Sequence, residues 1–151
     1  MNDLEKFLAH AIALERDAAR RFEELAAAMN TDGNAELKAF FDKMAGYSRK
    51  HLAQAVERGG FRVVPELALG EFEWLDGTSP ETAAWAGVDA FMDARGALEL
   101  ALASEKCGHA WYAAIAATTQ NSELRAVAAE FVEEEAEHVV LLEKLIAACA
   151  A

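Results

Sequence analysis

The chain has 151 residues and a formal net charge of -12 at pH 7, a length that fits one domain with a hydrophobic core. The acidic balance argues against binding to nucleic acid or to anionic membrane surfaces. No apolar run is long enough to span a membrane, and the first residues lack the basic and apolar segments of a signal peptide, so we expect a cytoplasmic protein. A composition rich in Ala, Leu and Glu with only two prolines predicts an all-α fold.

The first half of the chain predicts two helices, at about 3–29 and 35–58. Apolar residues recur along each at alternating steps of three and four, which is the period of a helix that packs on one face. Polar residues interrupt these inward rows at Glu15 in the first helix and at Ser48 and His51 in the second. A short polar turn separates the two helices, so they are expected to form a hairpin.

Residues 59–88 show no sustained helical period, which predicts a long connection that carries buried aromatic residues such as Phe72 and Trp74. Near its end, residues 79–81 read Ser-Pro-Glu, the pattern of an N-cap followed by proline at the first helical position. A short helix through Trp85 is therefore expected. A long link between two helical hairpins is typical of a crossover along a bundle.

The second half of the chain predicts helices at about 89–118 and 123–148. The inward row of the third helix begins at Phe91 and is interrupted by one carboxylate, Glu105. The row of the fourth helix ends at Cys149. Each half of the chain thus has ionisable residues in a row that should face the core.

Glu135 and His138 interrupt the inward row of the fourth helix. Residues three apart on a helix are separated by roughly 60° around the axis and about 4.5 Å along it, so the two side chains point into the same space, as metal ligands do. A charged, solvated face with a chance histidine is the alternative interpretation. We assign the neighbouring residues Glu133, Glu134 and Glu137 to such a solvated face.

The two halves of the chain resemble each other in sequence. Residues 13–16 align with 103–106 at an offset of 90, and residues 34–38 align with 121–125 at an offset of 87. Burying several carboxylates in apolar rows is unfavourable unless cations accompany them. The alignments pair the polar and aromatic residues of the inward rows: Glu15 with Glu105, Phe22 with Tyr112, Ser48 with Glu135, and His51 with His138.

This pattern resembles the ferritin-like superfamily of di-iron carboxylate proteins, and within it the rubrerythrin type. That family combines one Glu from each of two helices with Glu-x-x-His from each of the other two. The resemblance implies a single domain over residues 1–151, a four-helix bundle of two pseudo-symmetric hairpins, and two Fe ions, with Mn or Zn as alternatives. The implied ligands are Glu15 with His51 for one ion, Glu105 with His138 for the other, and Glu135 as a bridge.

Ser48 departs from the family pattern, which has a second bridging carboxylate at this position. Two residues are candidates to replace it. His109 lies four residues after Glu105 on the same face, although a local hydrogen bond at the edge of the row is the alternative. Tyr47 is the other candidate, with ordinary packing as its alternative. The family also suggests Tyr112 as a catalytic residue near the metals, with core packing as the alternative role.

The resemblance implies redox chemistry on peroxide or oxygen, of a peroxidase or ferroxidase kind. Rubrerythrins carry a rubredoxin-like domain with two Cys-x-x-Cys pairs, whereas Cys107 and Cys149 form no such pair. The chain would therefore need an external electron donor. The resemblance also implies a homodimer. Two alternatives remain open: metal binding or sensing without turnover, and a structural bundle in which the loss of the carboxylate at Ser48 has left a degenerate site.

Overall fold

The computed structural model describes residues 1–75, 77–80 and 88–149. These residues form a bundle of four helices and contain a short 3-10 turn but no strand, as the sequence predicted. Helices α1 and α2 pack together as one hairpin, and α3 and α4 as the other. None of the described helices is both long and apolar enough to cross a membrane. The helices are α1 (Leu4–Thr31), α2 (Ala35–Gly59), α3 (Ala94–Thr118) and α4 (Ser122–Cys149).

The second helix of each hairpin begins in the same way. Asn34 Oδ1 accepts a hydrogen bond of 3.0 Å from the backbone N–H of Leu37, and Asn121 Oδ1 accepts one of 3.1 Å from Leu124. A side-chain acceptor at this position satisfies one of the free N–H groups of the first helical turn. Because Asn34 and Asn121 are equivalent in the sequence repeat, the shared cap gives the two hairpins the same register.

The predicted start of α3 near residue 89 is wrong. Asp93 caps the helix, since its Oδ1 accepts a hydrogen bond of 2.8 Å from the backbone N–H of Gly96, and the helix begins at Ala94. Phe91 consequently precedes the helix and is 85% exposed. Its assignment to the inward row was also wrong, because the helical period does not extend beyond the cap.

Two apolar clusters fill the bundle, one toward each end. The first contains Phe22, Phe41 and Leu98, and the second contains Phe7, Trp111 and other residues from the ends of the helices near the N-terminus of α1. The ionisable residues of the inward rows lie between these clusters, at mid-bundle. All of the predicted inward residues of α1 and α2 are buried: Leu4, Leu8, Ala11, Glu15, Ala18, Phe22, Leu25, Met29, Leu37, Phe41, Met44, Ser48, His51 and Ala55.

The connection between the hairpins is attached to the bundle through the backbone of Glu73. His10 Nε2 accepts a hydrogen bond of 2.8 Å from the Glu73 N–H, and Trp111 Nε1 donates one of 3.0 Å to the Glu73 carbonyl. His10 is fully buried, and its ring contacts Phe72 and Trp74, which are only half-buried. The predicted aromatic connection thus covers one side of α1 and α3.

Part of the connection lies outside the described residues, including the predicted short helix through Trp85. Several large apolar side chains of the described part are exposed, among them Phe61, Val63 and Leu69. The homodimer that the sequence suggested stays a prediction.

We expect His10 to make the stability of the protein fall in mild acid. Its Nδ1 lies 2.8 Å from the Lys6 carbonyl oxygen, so the ring is neutral with Nδ1–H as donor and Nε2 as acceptor. Burial lowers its pKa below 6.5. As the pH falls, the unfolded chain binds this proton before the folded chain does, so the stabilisation is complete above pH 6.5 and is lost as the pH falls through the folded pKa.

The variant His10→Phe tests this expectation because it keeps an aromatic ring but cannot titrate. Its free energy of unfolding should be lower than that of the wild type by about 1–3 kcal/mol at pH 7.5, since the Glu73 N–H loses its acceptor. The difference should shrink at pH 5. Chemical denaturation of the metal-free proteins at both pH values measures it, and a difference that does not change with pH would contradict the assignment.

Candidate metal centre

Five ionisable residues from all four helices meet at mid-bundle, and each is at most 7% exposed. Their ligand atoms form two groups, within each of which the atoms lie within 4.8 Å of one another. Glu135 belongs to both groups. The first group is Glu15, His51 and Glu135, and the second is Glu105, Glu135 and His138. The structure therefore brings together the five residues that the sequence repeat selected. Metal binding by these residues stays a prediction.

The two groups have the same geometry. His51 Nδ1 lies 3.7 Å from Glu15 Oε2, and His138 Nδ1 lies 3.7 Å from Glu105 Oε2. The two imidazole rings stack with their centroids 5.5 Å apart. This pseudo-twofold arrangement follows from the equivalent positions of the residues in the two hairpins.

The carboxyl groups of Glu105 and Glu135 lie close together, and their pKa values are shifted in opposite directions. Burial opposes ionisation of Glu105, but interactions with the neighbouring Glu135 and His138 and the charge of Arg21 outweigh it and lower the pKa of Glu105 to about 2. Burial, followed by repulsion from Glu105 and Glu15, raises the pKa of Glu135 well above its usual range. Glu135 is thus the protonated partner, as expected for neighbouring buried carboxyl groups.

Tyr112 holds Glu15 in place. It is fully buried, and its hydroxyl donates a hydrogen bond of 3.1 Å to Glu15 Oε1. Burial and the charges of Glu15 and Glu135 raise the pKa of Tyr112 well above 10, so the phenol remains a donor. Phe131 stacks on the Tyr112 ring and packs edge-on against His51, which closes this side of the site with aromatic surface. A catalytic role for Tyr112 stays a prediction.

Glu134 lies beside the site rather than on a fully solvated face. Its Oε2 is 3.1 Å from His51 Nε2, and its side chain is 33% exposed. Burial raises the pKa of Glu134. The sequence predicts a solvated face for Glu134 together with Glu133 and Glu137, and only Glu133 and Glu137 are exposed. The repeat indicates that Glu134 lies near the site, because Glu134 is equivalent to Tyr47, which is a candidate residue of the site.

His51 is oriented as a metal ligand would be. With Nε2 directed at Glu134, its buried Nδ1 faces Glu15 at a distance too long for a hydrogen bond, and Nδ1 has no hydrogen-bond partner in the described part of the chain. Burial lowers the pKa of His51, but the carboxylates of Glu15 and Glu134 outweigh this effect and raise it above 6.5. A carboxylate on the outer nitrogen and a cation on the inner one is the usual setting of a ligating histidine. The donor set fits a metal ion.

Arg21 is a buried cation that was not predicted from the sequence. It is 0% exposed, its Nη1 donates to Ser104 Oγ, and its Nη2 lies 3.8 Å from Glu105 Oε1. The helical period did not select Arg21, because a long side chain can reach the core from the edge of the inward face. The repeat indicates that position 21 faces the core, since Arg21 is equivalent to Trp111, which is buried.

The residues considered as substitutes for the missing carboxylate lie in different places. Ser48 is buried at the position equivalent to Glu135. Tyr47 stacks on the His138 ring with centroids 5.6 Å apart. His109 is half-buried and belongs to neither group of ligand atoms found among the described residues, so its role as a ligand stays a prediction.

A comparison of the whole chain with known families agrees with this geometry. The profile of the ferritin-like domain family matches residues 2–148. The chain belongs to the ferritin-like family. Its structure is similar to the crystal structure of an uncharacterised conserved protein from Magnetospirillum magnetotacticum MS-1, with a TM-score of 0.79 and 35% sequence identity over 95% of this chain and 93% of that chain. No match is found among curated proteins.

Membership of the ferritin-like family confirms the predicted four-helix bundle. The rubrerythrin type, as the finer assignment, stays a prediction. In this ferritin-like chain the buried carboxylates and histidines are the groups with which a bundle core binds transition metals.

We expect the affinity of this ferritin-like centre for divalent cations to rise with pH. A carboxylate ligand must lose its proton to bind metal, and Glu135 holds one because its pKa is raised. His51, whose pKa is also raised, must release a second. The dissociation constant for Zn(II) should therefore fall by about tenfold or more per pH unit between pH 5.5 and 7. Calorimetric titration at several pH values measures this, and a constant affinity would contradict it.

Proposed function

We propose that the chain binds two transition-metal ions, Fe or Mn, and reduces peroxide or oxygen with electrons from an external donor. The observation that supports this most directly is the pair of donor groups that share Glu135. Carboxylate and imidazole donors suit these metals. Glu15 with His51 would hold one ion and Glu105 with His138 the other. When bound, the metal pair would supply the change of oxidation state that the protein side chains lack.

The side chains would contribute position and proton control. Glu134 fixes His51 through its outer nitrogen, and Tyr112 fixes Glu15 through its hydroxyl. Reduction of hydrogen peroxide to water consumes two protons and two electrons, and Tyr112 is a buried hydrogen-bond donor at the edge of the site. Phe131 stacks on Tyr112 and adds apolar surface beside the site.

A cleft between α2 and α4 gives a route from solvent toward this site. It has a volume of about 480 Å³ and is lined by Glu57, Glu130, Phe131 and Glu134, with Gln54 and Arg58. Because Glu134 also contacts His51, the cleft lies beside the first donor group. Its carboxylates favour entry of a cation over an anion.

Metal content and redox behaviour test the proposal. The purified protein is made metal-free, loaded with Fe(II) without oxygen, and mixed with peroxide while the near-ultraviolet absorption is recorded. We expect about two irons per chain and an absorption change much faster than that of Fe(II) in buffer. Iron that binds but oxidises no faster than in buffer would remove the redox part of the proposal. Protein that binds no metal would overturn it entirely.

The variant Tyr112→Phe tests the role of the tyrosine. Phe is accommodated at the equivalent position of the repeat, Phe22, so we expect a folded protein that loses about 1 kcal/mol of stability with the hydrogen bond to Glu15. The rate of peroxide-dependent Fe(II) oxidation should fall by about tenfold or more, whereas metal content should stay at two. An unchanged rate would assign Tyr112 to packing alone.

A second candidate function is binding of a metal ion without turnover. Two observations favour it: Ser48 stands buried where the family has a carboxylate, and Arg21 already places a positive charge beside Glu105. Both changes disfavour a second ion. This candidate predicts one tightly bound, redox-silent ion such as zinc in protein purified without added metal, which elemental analysis would detect.

A further inference from the structure

We propose that the two halves of the centre bind cations unequally, and that the half formed by Glu15, His51 and Glu135 fills first because Glu134 supports it while Arg21 opposes the other half. This inference rests on the proposed binding of metal at the site. It assigns to Arg21 and Glu134, which are not ligands, the function of setting the order in which the two positions fill.

The ligands themselves do not distinguish the halves. The distance between histidine and glutamate is 3.7 Å in each, the two imidazoles are parallel to within 14°, and Glu135 belongs to both groups. An ion in either half would therefore meet one imidazole, one carboxylate of its own and the shared one. Any difference in affinity must come from the residues around the ligands.

Arg21 opposes a cation in the half that contains Glu105. Its guanidinium lies 3.8 Å from Glu105 Oε1, and both side chains are almost fully buried. A hydrogen bond to Ser104, the residue before Glu105, holds the guanidinium there. Charge interactions in such an environment are much stronger than in water, so the guanidinium offsets the charge of Glu105 most strongly and those of Glu135 and Glu15 less.

The position equivalent to Arg21 in the other hairpin does not carry a cation. Arg21 is equivalent to Trp111 and Ser104 to Leu14, and Trp111 and Leu14 are buried in an apolar cluster. The Arg21–Ser104 pair therefore has no counterpart at the equivalent positions of the repeat. Glu15 receives a hydrogen bond from the neutral Tyr112 instead, which leaves its negative charge available.

The side chains beside the two histidine rings also favour an ion in the half that contains His51. His51 Nε2 is 3.1 Å from the Glu134 carboxylate, whereas His138 stacks on the ring of Tyr47. Tyr47 and Glu134 are equivalent in the repeat. A carboxylate on the outer nitrogen makes an imidazole a stronger ligand and adds negative charge, and losing such a partner typically costs 10- to 100-fold in metal affinity. His51 has this support from Glu134.

Calorimetric titration of the metal-free protein with Zn(II) at pH 7.5 tests the inference without using activity. We expect two steps, the first at least about tenfold tighter than the second. His51→Ala should lose the tight step, and His138→Ala should keep it. Glu134→Gln should weaken the tight step by about tenfold or more, whereas Glu133→Gln, a change at the exposed neighbour, should leave both steps as in the wild type.

The Arg21→Met variant tests the opposing charge directly. It should strengthen the second step by about tenfold or more and the first step by clearly less, because Arg21 interacts more strongly with Glu105 than with Glu15. The control Arg16→Met, which removes an exposed arginine from the same helix, should change neither step. If Arg21→Met does not fold by circular dichroism, the histidine and Glu134 variants decide the order of filling on their own.

The outcomes separate this inference from the proposed function. Two Zn(II) ions of equal affinity in the wild type, or loss of the tight step in His138→Ala rather than in His51→Ala, would overturn the inference and leave metal binding intact. An unchanged second step in folded Arg21→Met would overturn the role of Arg21. Absence of Zn(II) binding to the wild type would overturn both the inference and the proposed function.

Discussion

Replacing Glu135 with glutamine is expected to weaken binding of the first metal ion by about 100-fold or more and to abolish binding of the second. Glu135 is the carboxylate common to both donor groups, so its loss removes a ligand and a negative charge from each position at once. Titration of the metal-free variant with Zn(II) measures both steps. Glu133→Gln is the matched control, because it makes the same chemical change at an exposed position two residues earlier on the same helix.

The same variant should be more stable than the wild type when no metal is present. The pKa of Glu135 is raised in the folded protein, so the folded state holds a proton that the unfolded state releases above about pH 4.5, and keeping this proton costs stability as the pH rises. A neutral glutamine avoids that cost. We expect a gain of about 1–4 kcal/mol in the free energy of unfolding at pH 7.5. A variant that is less stable and still binds two ions would contradict the assignment of Glu135 as the shared ligand.

Replacing Ser48 with glutamate is expected to strengthen binding of the second ion by about 10- to 100-fold. Position 48 is buried and equivalent in the repeat to Glu135, so the new carboxylate would face the centre from the opposite hairpin. Without metal, a fourth carboxylate would join three others in a buried site, and the variant should lose about 3 kcal/mol of stability. Thermal unfolding with and without Zn(II) measures both effects, and metal should restore the lost stability.

Ser48→Gln separates charge from size in this experiment. It introduces a side chain of nearly the same volume as glutamate but without the negative charge. It should therefore lower stability only through packing and should leave the affinity for the second ion unchanged. If glutamine and glutamate variants behaved alike, the serine would matter for space rather than for charge. That outcome would remove the electrostatic explanation of the second site.

The helical period predicted most of the fold because each helix buries one continuous face. The bounds of α2 and α4 agree with the prediction to within about one residue, since polar turns precede both helices and glycines mark the end of α2. The start of α3 was misplaced because the apolar residue Phe91 extended the period, while the cap at Asp93 decides where the helix begins. A local hydrogen bond thus outweighed the pattern.

The sequence also identified the five ionisable residues that the structure places together, because each breaks an apolar row and because the repeat pairs most of them. It did not identify Arg21 or Glu134. Both lie beside the inward row rather than on it, and they reach the site through long side chains. Periodicity gives the direction of a residue from the helix axis but not the reach of its side chain, which depends on the space that the neighbouring helices leave.

Because both hairpins belong to one chain, a residue of one hairpin can be substituted without the same substitution at the equivalent position of the other. In an assembly of two identical hairpins, the symmetry axis would repeat every substitution on both sides. A single chain has no such requirement. It can carry an arginine opposite a tryptophan at positions 21 and 111, and a serine opposite a glutamate at positions 48 and 135. One side of the bundle can therefore be adjusted while the other retains its ligands.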